Sequence, residues 1–412
     1  MHPEETRPPN RIVFESMEIA ERPATSIDPF SDAYLRDPYP DHERLRDNGP
    51  VTFLETYGVY AVARYADVVR VLADYETFCS SAGVGISDFR KNVPWRPPSL
   101  ILEVDPPLHS RTHRVLLSVL SPDIVRLLRA RFEAAAETLV DELLECGQVD
   151  AIADIARAFP LEVFPDAIGL RPDGRAHLLP YGRMVFNAFG PQNERFRDGM
   201  AGAEGIVRWI DASCERDALD PAGIGARVYD AVDAGEITYD EGRLLVRSIL
   251  SAGLDTTVFG IGNTLASFAR FPDQWRALRE DPSRMRAAID EAMRFESPVQ
   301  AFFRTTTRAV EIDGVPLGEG EKILVFFGAA NRDPRRWELP DVFDIGRRAG
   351  GHVAFGHGVH RCVGELFAKI ESESLLGVLT RRVTHIVPTG KPELTLNNTL
   401  RGYASIPVRL VA

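Results

Sequence analysis

From Ser110 to about Glu280 the chain runs through one amphipathic helical stretch after another, among them IVRLLRARFEAAAETLVDELLECG. Only Pro and Gly punctuation such as LRPDGRAH and LDPAGIGA interrupts them. A chain patterned in this way folds mainly as helices, and its strands must come from what is left. VTFLETYGVYAVARY alternates β-branched and aromatic residues around Gly58, as a hairpin does, before helical spacing resumes in ADVVRVLADYETF. VEIDGVPLGEGEKILVFFGAAN reads as strand, turn and strand, and a final helix covers roughly Gly364 to Val383. The expected fold class is mainly α with small β-sheets. Residues 1–25 read as a loosely held arm, and 26–412 as one domain, because no Pro/Gly/Ser linker or charge block divides them.

A formal net charge of -12 argues against broad nucleic-acid binding or attachment to an anionic membrane, which use clustered positive charge. The opening MHPEETRPPN lacks an apolar signal core, and no later run is read as long and apolar enough to span a membrane, so a cytoplasmic protein is expected. Four cysteines, Cys79, Cys146, Cys214 and Cys362, lie far apart without a CxxC pair, so neither a disulfide framework nor a zinc ribbon is indicated. The first three read as inert small hydrophobes.

Cys362 sits differently, in Phe355-Gly356-His357-Gly358-Val359-His360-Arg361-Cys362-Val363-Gly364, between a strand-like HVAF and the apolar helix ELFAKIESESLLGVL. The glycines would let backbone fold against a planar cofactor, and a cysteine just before a helix sees its positive end, which favours thiolate. The residues by themselves leave open a reactive or buried cysteine in a Gly-rich turn. The segment resembles the F-x-x-G-x-x-x-C-x-G haem-binding loop of cytochromes P450, with Phe355, Gly358, Cys362 and Gly364 matching. That resemblance implies the cytochrome P450 fold, haem b with the Cys362 sulfur as its iron ligand, and O2 as co-substrate.

Other motifs match the same family in the same order. Glu291-Ala292-Met293-Arg294 resembles the family's E-x-x-R, whose ends share a helix face. Such a tetrapeptide alone is usually a solvated pair. The resemblance adds Arg347 as third member of a structural triad. The apolar LLVRSILSAGLDTTVFGIGNTLASFARF is interrupted at Ala252-Gly253-Leu254-Asp255-Thr256-Thr257, where a threonine bonding back to a carbonyl would be the bland explanation. The hexapeptide is similar to the family's oxygen-binding groove, which implies Asp255 and Thr256 as the catalytic acid and alcohol that deliver protons. His109, Arg304 and His360 match residues that hold haem propionates. Where the family usually has arginine, four residues after His109, this chain has His113 followed by Arg114, and either could make that contact.

A narrower resemblance lies in VPWRPPSLILEVDPP, YGRMVFNAFGP, LLVRSILSAGLDTTV and RFESPVQAFFRTTTR, which are similar to pocket segments of bacterial P450s that oxidise para-substituted benzoic acids. It implies that Arg96, Ser99 and Ser248 hold a benzoate carboxylate, with Arg247 assisting electrostatically. Leu102, Phe186, Phe189, Ser251, Ala252, Val299 and Phe302 would then line the slot. The reaction implied is O-demethylation of 4-methoxybenzoate, or hydroxylation of related para-alkyl groups. Alternatives are another small carboxylic acid, such as a cinnamate or fatty acid, and a haem-binding sensor without monooxygenase activity. Electrons would come from NAD(P)H through a flavin-containing ferredoxin reductase and a [2Fe-2S] ferredoxin, meeting a patch that includes Arg361. A monomer is expected.

Overall fold

The computed structural model describes residues 23–412. Of the expected arm, residues 1–22 lie outside the described residues, while Ala24–Thr25 form a strand parallel to Thr52–Leu54. Thr52–Leu54 and Val59–Val62 make the expected hairpin, with Phe53 opposite Tyr60 and Gly58 at φ +63 in its turn. A six-stranded sheet is completed by Lys322–Phe326, Ala301–Thr306 and Phe78–Cys79, in that order beyond Val59–Val62. Val59–Val62 pairs with Lys322–Phe326 in parallel, and Lys322–Phe326 with Ala301–Thr306 antiparallel. A three-stranded sheet and two hairpins make up the remaining strands among the described residues.

Helices form the bulk. Pro122–Cys146 ends at Gly147, whose φ of +73 stops the helix, and it packs along Glu365–Arg382 through a Phe132–Phe367 edge contact at 5.6 Å. Asp255–Arg270 runs through the centre of the same core, with Ile261, Leu265 and Phe268 buried. The stretch 239–270 is in fact long and apolar enough to cross a membrane, contrary to the sequence expectation, but more than half of it is buried inside the fold. Its apolarity is that of a core helix.

The interruption at 252–257 is real: one helix, Tyr239–Ala252, ends and another, Asp255–Arg270, begins. Gly253 is needed there, because a Cβ would stand 2.5 Å from the Phe164 ring. Thr256 and Thr257 donate their hydroxyls to the carbonyls of Ala252 (2.7 Å) and Gly253 (2.9 Å). A correction concerns HVAF, which is a turn and not a strand. The Val353 amide is taken by Asn331 Oδ1 at 2.8 Å, the Ala354 amide by His352 Nδ1 at 3.2 Å, and the Gly356 amide bonds back to Val353. With its amides satisfied locally, the segment has nothing to give a sheet.

Candidate active site

The loop after this turn carries Cys362 at the mouth of the helix Glu365–Arg382. Its amide donates to the Phe355 carbonyl at 2.8 Å, closing the loop on itself. Gly356 and Gly358 have φ of +73 and +69, and a Cβ on Gly358 would be 2.6 Å from the Leu72 carbonyl, so side chains are excluded there. Gly364 is different: a Cβ there would rest 3.9 Å from Cys362 Sγ, an ordinary contact. The sulfur accepts the amides of Gly364 and Glu365, and Arg361 adds positive charge. Although Cys362 is exposed along the cavity, the protein packed around it, with the Glu365 carboxylate beside it, outweighs them and pushes the thiol up to about 11. The expected helix-end preference for thiolate is therefore present but overridden in the protein alone. A metal ion bound to the sulfur would remove the proton outright.

Cys362 opens onto a large, mostly apolar cavity that is continuous with the outside. Of the residues singled out in the sequence, Arg96, Ser99, Leu102, His109, Phe186, Phe189, Ser248, Ser251, Ala252, Thr256, Val299, Phe302, Arg304, Phe355, His360 and Gly364 line it as well. His113, Arg247, Asp255 and Gly358 do not. His113 stacks on His109 at 5.0 Å and bonds to the Arg361 backbone, and Arg114 is exposed. Arg247 lies behind the wall with its guanidinium on the Pro97 carbonyl at 2.6 Å.

The cavity rim suits a dianionic, planar group. Arg304 is 3% exposed, bonds only to the Phe303 carbonyl at 2.8 Å, and forms no ion pair among the described residues. Burial brings it down to about 10. His109 Nε2 is buried without a partner, and burial, with His360 and His113 beside it, takes the ring down to about 3. An orphaned cation and an orphaned imidazole nitrogen at one edge, with a cysteine sulfur on the floor, fit haem propionates and iron. His360 is already engaged, with Ile101 O at 3.2 Å and Asp105 Oδ1 at 3.3 Å. Burial alone would raise Asp105, but His360 and the Ser80 and Ser81 amides hold it at about 2.

Asp255 has its carboxylate against Gly182, where a Cβ would lie 2.1 Å from Oδ2. Burial raises it to about 7, against the pull of Arg183 and Arg157. Thr256 thus faces the cavity while its neighbour faces away from it, poised between protonation states near neutral pH. Elsewhere in the cavity wall, Ser99 Oγ and Ser248 Oγ are 3.0 Å apart, and Arg96 reaches Glu103 at 2.9 Å. Phe189 makes edge contacts with Phe186 at 5.9 Å and Phe302 at 5.3 Å, forming an aromatic wall.

Glu103 and Lys322 were not singled out in the sequence. Glu103 carries a signal in hindsight, a carboxylate inside the apolar run LILEV, whereas nothing in EKILVFF marks the lysine as buried. Ile289, Met293, Gly260 and Ser372 also line the cavity without any sequence mark beyond helical packing.

Comparison with known proteins agrees with this geometry. Residues 209–410 match the family model described as Cytochrome P450. The chain is 55% identical over 389 residues to "Cytochrome p450 CYP199A2" of Rhodopseudomonas palustris, covering 94% of each protein. It is 32% identical over 399 residues to "Cytochrome P450 107B1" of Saccharopolyspora erythraea, covering 92% of this chain and 96% of that one. Among solved structures it resembles "cytochrome P450 CREJ in complex with (4-ethylphenyl) dihydrogen phosphate", with a TM-score of 0.84 and 27% identity over 93% of this chain and 99% of that one.

Proposed function

The chain belongs to the cytochrome P450 family of haem-thiolate monooxygenases, and from that premise we propose that it oxidises para-substituted benzoic acids, O-demethylating 4-methoxybenzoate. The observation that supports this reading is that Arg96, Ser99 and Ser248 line the same largely apolar cavity as Cys362. A carboxylate entering that cavity would lose its water, and charge-assisted donors must replace it. Phe186, Phe189 and Phe302 give the cavity an aromatic wall against which a flat ring could pack. Anchored at its acid, such a ring presents its para substituent toward the cysteine side.

Haem would be held by Cys362, Arg304 and His109, and when bound would supply oxygen activation in which one atom of O2 enters a C–H bond and the other leaves as water with two electrons and two protons. The chain's own residues bind, orient and protonate. The Ser99 and Ser248 hydroxyls and the Arg96 guanidinium fix the substrate acid. The Thr256 hydroxyl, at rest on the Ala252 carbonyl, is the proton donor facing the cavity, and Asp255 reloads it from the side of Arg183. Hydroxylation of the methoxy carbon yields a hemiacetal that collapses to formaldehyde and 4-hydroxybenzoate. A [2Fe-2S] ferredoxin and its flavin-containing reductase supply the electrons.

The test is an absorption titration of the ferric holoenzyme with 4-methoxybenzoate, followed by reconstituted turnover. A low-spin to high-spin shift with equal amounts of formaldehyde and 4-hydroxybenzoate is expected. Tighter binding and faster turnover with a cinnamate or a medium-chain fatty acid would overturn the benzoate reading and keep the anion anchor.

A further inference from the structure

Two guanidinium groups converge on the Pro97 carbonyl beside the Ser99–Ser248 pair of the cavity wall. Arg96 Nη1 and Arg247 Nη2 both donate to the Pro97 carbonyl, at 3.0 and 2.6 Å. Arg247 is 6% exposed and the Arg96 side chain 10%, so neither charge is dispersed into water. One carboxylate lies within ion-pair distance of them among the described residues. Glu103, itself 3% exposed, accepts Arg96 Nη1 at 2.9 Å and the Ser99 amide at 2.7 Å through the same oxygen, Oε2. Asp211 acts on Arg247 only over a longer range, and Arg243 nearby is spent on Glu215 at 2.7 Å. Arg96 Nε remains buried without an acceptor. Two buried cations, one buried anion and an open donor leave one positive charge uncompensated at this end.

We propose that Glu103 is a specificity-determining residue, whose buried carboxylate sets the Arg96–Arg247 end to one excess positive charge and so selects a monoanionic head group over neutral and dianionic ones. The inference rests on the reading of this end as the substrate's acid site. Glu103 holds the anchor in place through Arg96 and the Ser99 amide, and it repels any second negative charge brought beside them. Buried charges left without a partner are costly, so a neutral head group leaves one guanidinium unmatched and a dianion leaves one of its own charges unmatched. The aryl phosphate named in the related CREJ complex belongs to that second class.

The experiment measures dissociation constants of the holoenzyme for 4-ethylbenzamide, 4-ethylbenzoate and 4-ethylphenyl phosphate, at about pH 8 where a phosphate monoester has lost both protons. Glu103→Gln keeps both accepted bonds and removes the charge. Arg247→Gln, outside the cavity lining, lowers the charge by one in the other direction. In the wild type the benzoate binds most tightly. Glu103→Gln should raise the benzoate-to-benzamide and phosphate-to-benzoate affinity ratios by about tenfold or more, and Arg247→Gln should lower the first by a similar factor. Shape effects cancel in these comparisons between proteins. If the wild type prefers benzoate but neither variant moves the benzoate-to-benzamide ratio, the role of Glu103 is overturned while the acid site stands. If the wild type binds benzoate and benzamide alike, the acid site itself is lost.

Discussion

Arg294 gives both carboxylate oxygens of Glu291 a hydrogen bond, from Nε at 2.7 Å and Nη2 at 2.8 Å, with both side chains at 0% exposure. Arg347 Nε adds a third at 3.2 Å, and the Asp344 amide a fourth at 3.0 Å. Arg294 continues to the Asn331 carbonyl, and the Asn331 side chain holds the Val353 amide in the turn that leads to Cys362. The triad is therefore wired to the cysteine loop through one asparagine. Glu291→Ala would leave the buried Arg294 guanidinium without its carboxylate and take one partner from the half-buried Arg347, at a cost of about 3 to 5 kcal/mol. Denaturant unfolding of the purified holoprotein, with haem content per chain, should show the loss, and an unchanged protein would contradict the triad's structural role.

For Cys362, the direction of its pKa makes a prediction about the haem-free protein. With the thiol pushed up to about 11, thiolate at neutral pH is about one molecule in ten thousand. Alkylation of Cys362 in haem-free protein should be slow at neutral pH and rise about tenfold per pH unit until the thiol ionises. Haem loading should abolish it, and Cys362→His should move the reduced carbon monoxide band from the thiolate position to that of an imidazole-ligated haem. Fast alkylation at neutral pH would mean that helix end and Arg361 outweigh burial after all.

The cysteine loop, the helix break at Gly253 and the E-x-x-R pair show as odd local patterns, but alone they left a buried cysteine, a back-bonding threonine and a solvated pair open, and it was their resemblance to one family in one order that gave them roles. The side chains around the cavity were legible by resemblance, since a phenylalanine on a wall and a phenylalanine in the core look alike in sequence. What stayed hidden depends on three-dimensional partners. HVAF has strand composition, but Asn331 and His352 claim its amides. His113 and Arg247 occupy positions where charge is useful, yet a neighbouring ring and a carbonyl hold them off the cavity. Lys322 is a buried charge whose carbonyl partners lie some 240 residues away, so no local pattern announces it, whereas Glu103 was marked only by its place in the apolar run LILEV.

Asp255 carries a prediction about pH. Its carboxyl rises from 3.8 to about 7 on folding, because burial disfavours the anion. A raised carboxyl pKa gives a contribution to stability that is full below about 3.8 and is lost as pH climbs through 7. Asp255→Asn removes this dependence, so the variant should gain stability relative to wild type between those limits. Proton delivery should suffer in the opposite sense: coupled product formation should drop by about a hundredfold, with its dependence on pH near neutrality flattened. Hydrogen peroxide release and product yield per electron pair separate the two effects. A variant that keeps wild-type coupling would remove Asp255 from the proton path.

Lys322 is a buried ammonium with no carboxylate in ion-pair distance among the described residues. It donates instead to three carbonyls, Ala82 at 3.1 Å, Gly83 at 2.7 Å and Gly85 at 3.0 Å. The same segment is tied to the cavity wall, because the Ile86 amide bonds to the Phe189 carbonyl at 2.9 Å and a Cβ on Gly85 would lie 2.9 Å from Phe189 Cα. Burial brings the lysine down from 10.5 to about 8, with Asp88 and Cys79 opposing and Arg90 and Arg304 reinforcing the shift. Between those two values the unfolded chain binds more protons than the folded one, so this group makes stability rise with pH across that window. Lys322→Met should erase the rise. It also frees three carbonyls and the segment behind Phe189, so the dissociation constant for 4-methoxybenzoate should increase by about tenfold while the carbon monoxide spectrum stays that of thiolate ligation. An optical titration at fixed temperature well below unfolding decides it: an unchanged substrate affinity would show that the clamp supports the sheet alone and does not reach the aromatic wall.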